Sequence, residues 1–366
     1  MQKVLTPGGV GLASGNNRQM LSDFWRGKSV FLTGHTGFKG SWLLLWLHQL
    51  GARVSGYSLD PATQPSLYEE ARLSDCIHRD HRSDLANLEV LRGALRDSQA
   101  EVVFHLAAQP LVRESYVDPI GTFATNVLGT AHVLEAVRGL DSVRAVVIIT
   151  TDKVYQNQEW VYPYRETDAL GGHDPYSASK AAAELITASY RASFLQAQGV
   201  RVASARAGNV IGGGDWSAER LVPDCLRAFA AGEPVRLRFP QSVRPWQHVL
   251  EPLAGYLSLA ERLWTGPGFE SGWNFGPEEH ATVGEVAQRL GALWGEDARV
   301  ELEGDVSHPH EAGLLRLDIS RARSELGWRP CWTLEQALRA TVDWQRHYLA
   351  GGDVRQFSLD QIGKLL

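Results

Sequence analysis

The chain has 366 residues, a formal net charge of −6, and 21% charged against 44% hydrophobic side chains. Such a composition excludes a disordered polymer and supplies no general attraction to nucleic acid, so any anionic ligand must be gripped by a local cluster of basic groups. The three cysteines, Cys76, Cys225 and Cys331, are far apart with no close pair, which excludes a disulfide framework and a cysteine zinc site and reads as three reduced core thiols.

Residues 1–27, rich in Gly, Asn and Ser and without an apolar signal core, read as a loose extension before the fold. The longest greasy run, 42–47, is far short of the roughly 20 residues that span a bilayer, and a cytoplasmic protein is expected. From residue 28 the chain alternates short apolar runs with helical spacings. Strands are predicted over 28–33, 53–57, 101–106 and 143–150, and helices over 38–50, 85–96, 122–138 and 176–198. Runs that are apolar on both sides suit buried parallel strands. The pattern predicts an α/β, Rossmann-type, doubly wound parallel sheet with helices on both faces, whose ligands sit beyond the carboxyl ends of the strands. Residues 28–205 would form this cofactor-binding domain. Residues 206–350, with a helix over 218–231 and shorter elements, would form a smaller α/β substrate lobe interleaved with it, and 351–366 a tail.

The glycines of Gly34-His35-Thr36-Gly37-Phe38-Lys39-Gly40 fall three apart where the first strand meets the first helix. In that setting glycine allows a tight turn, close approach of a pyrophosphate and close packing of helix on strand, while the helix start supplies N–H donors. This is the pattern of a dinucleotide site. Asp60, twenty residues after Gly40, is placed to accept both adenosine ribose hydroxyls, which favours NAD over NADP. Asp80 is a candidate for the adenine amino group, with Asp84, the predicted N-cap of the next helix, as the rival.

Thr151-Asp152-Lys153 ends the fourth predicted strand, and Tyr176 and Lys180 stand four apart on one helix face. A free phenol is a poor base at neutral pH, but a neighbouring ammonium and a positive nicotinamide ring both favour phenolate. Tyr176 can then take a hydroxyl proton while the carbon gives hydride to NAD, and Lys180 can also reach the nicotinamide ribose. The pair His308 and His310, with Glu311, is read as a loop rather than a metal site, and no metal is expected. Trp42 and Trp46 are read as core.

With Ala107-Ala108 after the third of these predicted strands, the glycine loop and the Tyr176/Lys180 pair resemble the extended short-chain dehydrogenase/reductase superfamily over roughly residues 28–344. Four further strings, 37–43, 107–113, 208–216 and 244–249, resemble the CDP-D-glucose 4,6-dehydratases. The resemblance implies bound NAD held by Gly34, Gly37, Phe38, Gly40, Asp60, Asp80, Ala107, Tyr176 and Lys180. It also implies oxidation at C4 of CDP-D-glucose by Tyr176 with Thr151, loss of water across C5 and C6, and return of hydride to C6. Thymidine-nucleotide relatives follow the threonine with an Asp-Glu pair, acid and base; here the base position is Lys153, as in the cytidine-nucleotide enzymes. Lys153 is either the C5 base or a cation steadying the enolate, with Asp152 as the acid. Gln109 and Arg113 would lie near the sugar, and Asn209, Arg220 and Arg244 near the pyrophosphate or ribose. A homodimer or homotetramer through the helices at 122–138 and 176–198 is implied. The alternatives are a nucleotide-sugar 4-epimerase, which needs no acid/base pair after Thr151, a dehydratase for another nucleotide-hexose, and a non-catalytic NAD sensor on the same fold.

Overall fold

The computed structural model describes residues 23–302 and 312–365. Six strands are taken in chain order: β1 (Ser29–Thr33), β2 (Arg53–Ser58), β3 (Arg79–Arg82), β4 (Val102–His105), β5 (Ala145–Ile149) and β6 (Arg201–Ala207). They join one parallel sheet with a seventh strand, Gly272–Phe275, in the order Gly272–Phe275, β6, β5, β4, β1, β2, β3. The order reverses between β1 and β4, which opens a crevice at their carboxyl ends.

Side-chain alternation along the strands fills both faces of the sheet. On β1, Val30 and Leu32 join a core with Trp42, Trp46 and the helix Leu250–Thr265, while Phe31 joins a second core with Leu91, Leu95, Val133 and Leu134. The expected doubly wound α/β sheet is therefore present. β3 is the exception to apolar strands: Arg79-Asp80-His81-Arg82 is an exposed edge strand whose polar sequence carries no strand signal.

The two halves interleave more deeply than a boundary near residue 205 implies. Gly272–Phe275 returns from the later half to extend the sheet beside β6. The C-terminal residues are a helix, Val354–Leu365, whose Val354, Ile362 and Leu365 join the same core as Trp42. At the other end, Trp25 is fully buried in that core, so the packed fold begins ahead of residue 28. A third core, with Val222, Phe229, Val235, Trp246, Leu290 and Leu338, builds the smaller lobe. Cys76 and Cys225 are buried free thiols, but Cys331 is exposed, so it is no core residue. Trp42 and Trp46 are both core. The 308–311 segment lies outside the described residues, and among those described no helix is long and apolar enough to cross a membrane.

Candidate active site

The glycine loop is shaped by backbone contacts that no side chain tolerates. Gly34 adopts φ +74°, and a Cβ there would lie 2.6 Å from the Ala107 nitrogen. A Cβ on Gly40 would meet the Gly34 carbonyl oxygen at 2.0 Å, so the helix Phe38–Gln49 starts in direct contact with the end of β1. Gly37 caps that helix without a side-chain acceptor, and its first turn holds no acidic residue. Free N–H donors and an uncompensated positive dipole end thus face the crevice, the local chemistry that a dinucleotide pyrophosphate requires. Gly34, Gly37, Phe38, Gly40 and Ala107 fit the expected cofactor cradle.

The adenosine end differs from expectation in detail. Asp60 stands beyond β2 with its side chain 88% exposed, 3.5 Å from the Arg82 guanidinium. Asp80 accepts from His35 Nε2 (2.9 Å), Tyr68 Oη (2.7 Å), and Arg82 Nε and Nη2 (both 2.8 Å). These four bonds use the lone pairs of a carboxylate and hold Asp80 well below the usual carboxylate range despite burial. Holding an adenine amino group would require one of these bonds to give way. Asp84 is not the N-cap: Asn87 caps the helix Leu88–Ser98, and Asp84 accepts from Ala86 N in a local turn.

A cleft of about 320 Å³ runs from Phe38 past Thr151, Asp152, Lys153, Tyr176 and Lys180 to Asn209, Arg220 and Arg244. Two devices position its centre. Thr151 follows the end of β5 and caps a short turn, Asp152–Val154. Asp174 accepts from Ser177 N (2.9 Å) and Pro175 fills the first helical position, so the helix Pro175–Tyr190 carries Tyr176 in its first turn and puts Tyr176 and Lys180 on its inner face. Tyr176 shares a hydrogen bond with the Thr151 hydroxyl, which donates to Asp152 Oδ1 at 2.9 Å. Lys180 Nζ donates to the Ile149 carbonyl at 3.2 Å.

Burial sets the electrostatics. Asp152 is 1% exposed. Burial raises its pKa above the ordinary carboxylate value, against the pull of Lys153, Thr151 and Arg244. Lys180 is lowered by burial to about 8, with Glu184 acting the other way. The phenol of Tyr176 is pushed up to about 12, again by burial, with Thr151 and Arg220 opposing. That is opposite to the expected lowering: in the protein alone, desolvation is the largest influence on the phenol.

Arg113, Asn209, Arg220 and Arg244 all line the cleft. Arg220 pairs with Asp215 (3.2 Å) and Arg113 with Glu219 (3.2 Å), so both are oriented by carboxylates at the cleft wall. Gln109 is not brought in. Its amide nitrogen donates to Leu111 O (3.0 Å) and Thr122 Oγ1 (2.8 Å), and its oxygen accepts from Leu111 N, so it is consumed in shaping the loop after β4. Lys39 was missed by sequence reasoning. It lines the cleft and is lowered to about 7 by burial and by Lys180 and Arg220; a charged side chain inside the glycine loop was the available signal. The strings at 208–216 and 244–249 meet directly, since Asn209–Ile211 and Trp246–His248 pair as parallel strands, and Trp42 Nε1 donates to Gly213 O at 3.0 Å.

Known proteins resemble this chain in sequence and fold. The family model described as GDP-mannose 4,6 dehydratase matches residues 31–341. A CDP-glucose 4,6-dehydratase of Salmonella typhimurium is 52% identical over 340 residues, 91% of this chain and 94% of that one. A dTDP-glucose 4,6-dehydratase of Xanthomonas campestris pv. campestris is 28% identical over 334 residues, 86% of this chain and 92% of its own length. Among solved structures, the dTDP-glucose 4,6-dehydratase of Bacillus anthracis, in complex with NAD, superposes with a TM-score of 0.74 at 23% identity, over 90% of this chain and 99% of that one. With the family model covering most of its length and the glycine loop, Tyr176/Lys180 pair and cleft all in place, the chain belongs to the GDP-mannose 4,6 dehydratase family.

Proposed function

We propose that this protein converts CDP-D-glucose to CDP-4-dehydro-6-deoxy-D-glucose with bound NAD. The observation that carries the reading is Asp152. It is a buried carboxyl whose pKa is raised by burial, beside Lys153 and bonded through Thr151 to Tyr176. An epimerase has no use for an acid there, whereas elimination of a hydroxyl needs one. The 52% identical relative supports the cytidine nucleotide.

NAD, when bound on the glycine loop, supplies the hydride acceptor and later its donor. Tyr176, its hydroxyl oriented by Thr151, takes the proton of the C4 hydroxyl as C4 is oxidised. The resulting 4-ketone acidifies C5. Lys153 removes the C5 proton, and Asp152 donates its own to the C6 hydroxyl, which leaves as water. Hydride then reaches C6 and a proton returns to C5, so substrate loses one water and the cofactor ends unchanged. Lys180 anchors the helix Pro175–Tyr190 to β5 and would hold the nicotinamide ribose. Asn209, Arg220 and Arg244 hold the diphosphate and ribose, and Arg113 the sugar rim.

The surface supports a homo-oligomer. Val117 and Ile120 are 78% and 77% exposed, and Leu128 and Leu185 are also exposed, on helices that pack against one another, which suits burial against a second copy. Three unpaired thiols support a cytoplasmic setting. Incubating CDP-, dTDP-, UDP- and GDP-glucose in parallel with the NAD-loaded enzyme, and reading 4-keto-sugar absorbance in alkali, tests the assignment. Product from CDP-glucose in preference to the others is expected; a C4 epimer without keto sugar would overturn it.

A further inference from the structure

We infer that the buried Glu184–Arg206 ion pair is a positioning device that holds the Asp152–Lys153 turn in register with the Tyr176/Lys180 helix. The inference rests on the reading of Asp152 and Lys153 as the elimination pair. Glu184 follows Lys180 by one turn on the same helix, and Glu184 and Arg206 are 6% and 4% exposed. Glu184 Oε1 accepts from Arg206 Nε (2.9 Å) and the Thr150 hydroxyl (2.6 Å), while Oε2 accepts from Arg206 Nη2 (3.0 Å) and the Ser204 hydroxyl. Arg206 Nη1 donates in turn to Tyr155 Oη at 2.9 Å.

Thr150 and Tyr155 are the points that matter. One immediately precedes Thr151, and the other immediately follows the turn Asp152–Val154. The turn's own bonds are long, with Lys153 N to Thr151 Oγ1 and Val154 N to Thr151 O both at 3.4 Å, near the outer limit for such contacts. Besides the Gly171 N–H bond to Val154 O at 2.8 Å, the turn is held at its two ends, and both ends are tied to one ion pair. Tyr155 Oη also donates to Asn274 Oδ1 at 2.6 Å, and Asn274 Nδ2 donates to Tyr164 O at 2.9 Å. The same network thus reaches the strand that returns from the later half. A buried pair of this kind is a weak source of stability compared with apolar residues of equal volume; what it provides here is a fixed geometry between two catalytic elements. Displacements of about 1 Å in such a constellation cost on the order of 100-fold in rate.

The test uses near-isosteric variants of the NAD-loaded enzyme, read by single-turnover formation of enzyme-bound NADH, by C5 proton exchange with solvent, by KM and by melting temperature. Tyr155→Phe keeps the ring but frees the far end of the turn. It is expected to slow C5 exchange and product formation about tenfold while NADH formation and KM change less than about threefold. Thr150→Val frees the near end, next to Thr151, and is expected to slow both NADH formation and exchange. Ser204→Ala removes a bond to the same Glu184 from the middle of β6, away from the turn, and is expected to lower the melting temperature without changing either rate. A merely structural role predicts that all three variants lose melting temperature alike and keep wild-type rates, and that result would overturn the inference. If the wild-type enzyme itself shows no C5 exchange with CDP-D-glucose, the underlying functional reading fails instead, a separate result.

Discussion

Substituting Gly40 by alanine tests whether the glycine loop is the cofactor cradle and whether its glycines are required by contact rather than by flexibility. A Cβ at Gly40 would sit 2.0 Å from the Gly34 carbonyl oxygen, 2.7 Å from its carbonyl carbon and 2.9 Å from His35 Cα. All three are backbone atoms, so relief requires the helix Phe38–Gln49 to move away from β1. That helix buries every side chain from Ser41 to Leu47, and overpacking of this kind costs about 1–3 kcal/mol. At ~2–4 °C per kcal/mol for a large domain, Gly40→Ala should melt roughly 2–12 °C below wild type. Saturating NAD stabilises wild type by about 2.7 kcal/mol at a hundredfold excess over Kd, and the variant should lose most of that shift. Gly37→Ala is the control. Gly37 has φ −77° and ψ 167°, extended geometry open to alanine, and its Cβ would approach nothing nearer than the Gly34 oxygen at 3.4 Å. Its melting point without cofactor should stay within about 2 °C of wild type. Differential scanning fluorimetry with and without NAD reads both variants; a Gly40→Ala protein with wild-type melting and a full NAD shift would refute the reasoning.

Other outcomes follow from the same geometry. Lys153→Met should still form enzyme-bound NADH from CDP-D-glucose but lose C5 proton exchange; undiminished exchange removes Lys153 as base. Asp152→Asn should slow product release of water by about 10²–10⁴-fold, the usual worth of a positioned acid, with NADH formation much less affected. Asp60→Ala should improve use of NADP, because it removes a carboxylate that would repel a 2'-phosphate and leaves Arg82, 3.5 Å from that carboxylate, with Asp80 as its remaining acidic partner; kcat/KM for the two cofactors is the readout. Glu251, buried against the Cys331 and Trp332 amides, is raised by burial to about 7 from 4.5. The native state then binds more protons than the unfolded one between those values, so stability falls as pH rises from about 4.5 to 7. Glu251→Gln should flatten that fall by on the order of 1–3 kcal/mol, seen as a melting difference from wild type that shifts in the variant's favour between pH 5.5 and pH 8.

Sequence alone reached the sheet because its central strands are apolar on both faces and end on glycine or polar turns. It missed β3, where Arg79-Asp80-His81-Arg82 carries no apolar signal, and it missed the return of Gly272–Phe275, since a long-range parallel partner leaves no local trace. The Thr151, Tyr176 and Lys180 grouping was readable from residue type and helical spacing, and the structure brings the three together. Gln109 misled because a polar side chain after a strand serves a loop amide or a ligand equally well. The sign of the Tyr176 shift was unreadable because desolvation depends on everything packed around the phenol, Tyr256 and Arg220 among it. Glu184 and Arg206 were invisible for the same reason: their meaning lies in what they flank.

The central claim is an oxidation, elimination and reduction carried out on one sugar by Tyr176, Lys153 and Asp152. CDP-D-glucose labelled with deuterium at C4, turned over by the NAD-loaded enzyme in ordinary water and analysed by NMR, tests it most directly. The expected product is a 4-keto-6-deoxy sugar with deuterium at C6 and a solvent proton at C5. Deuterium retained at C4 of an epimerised sugar, or an unlabelled C6, would contradict it.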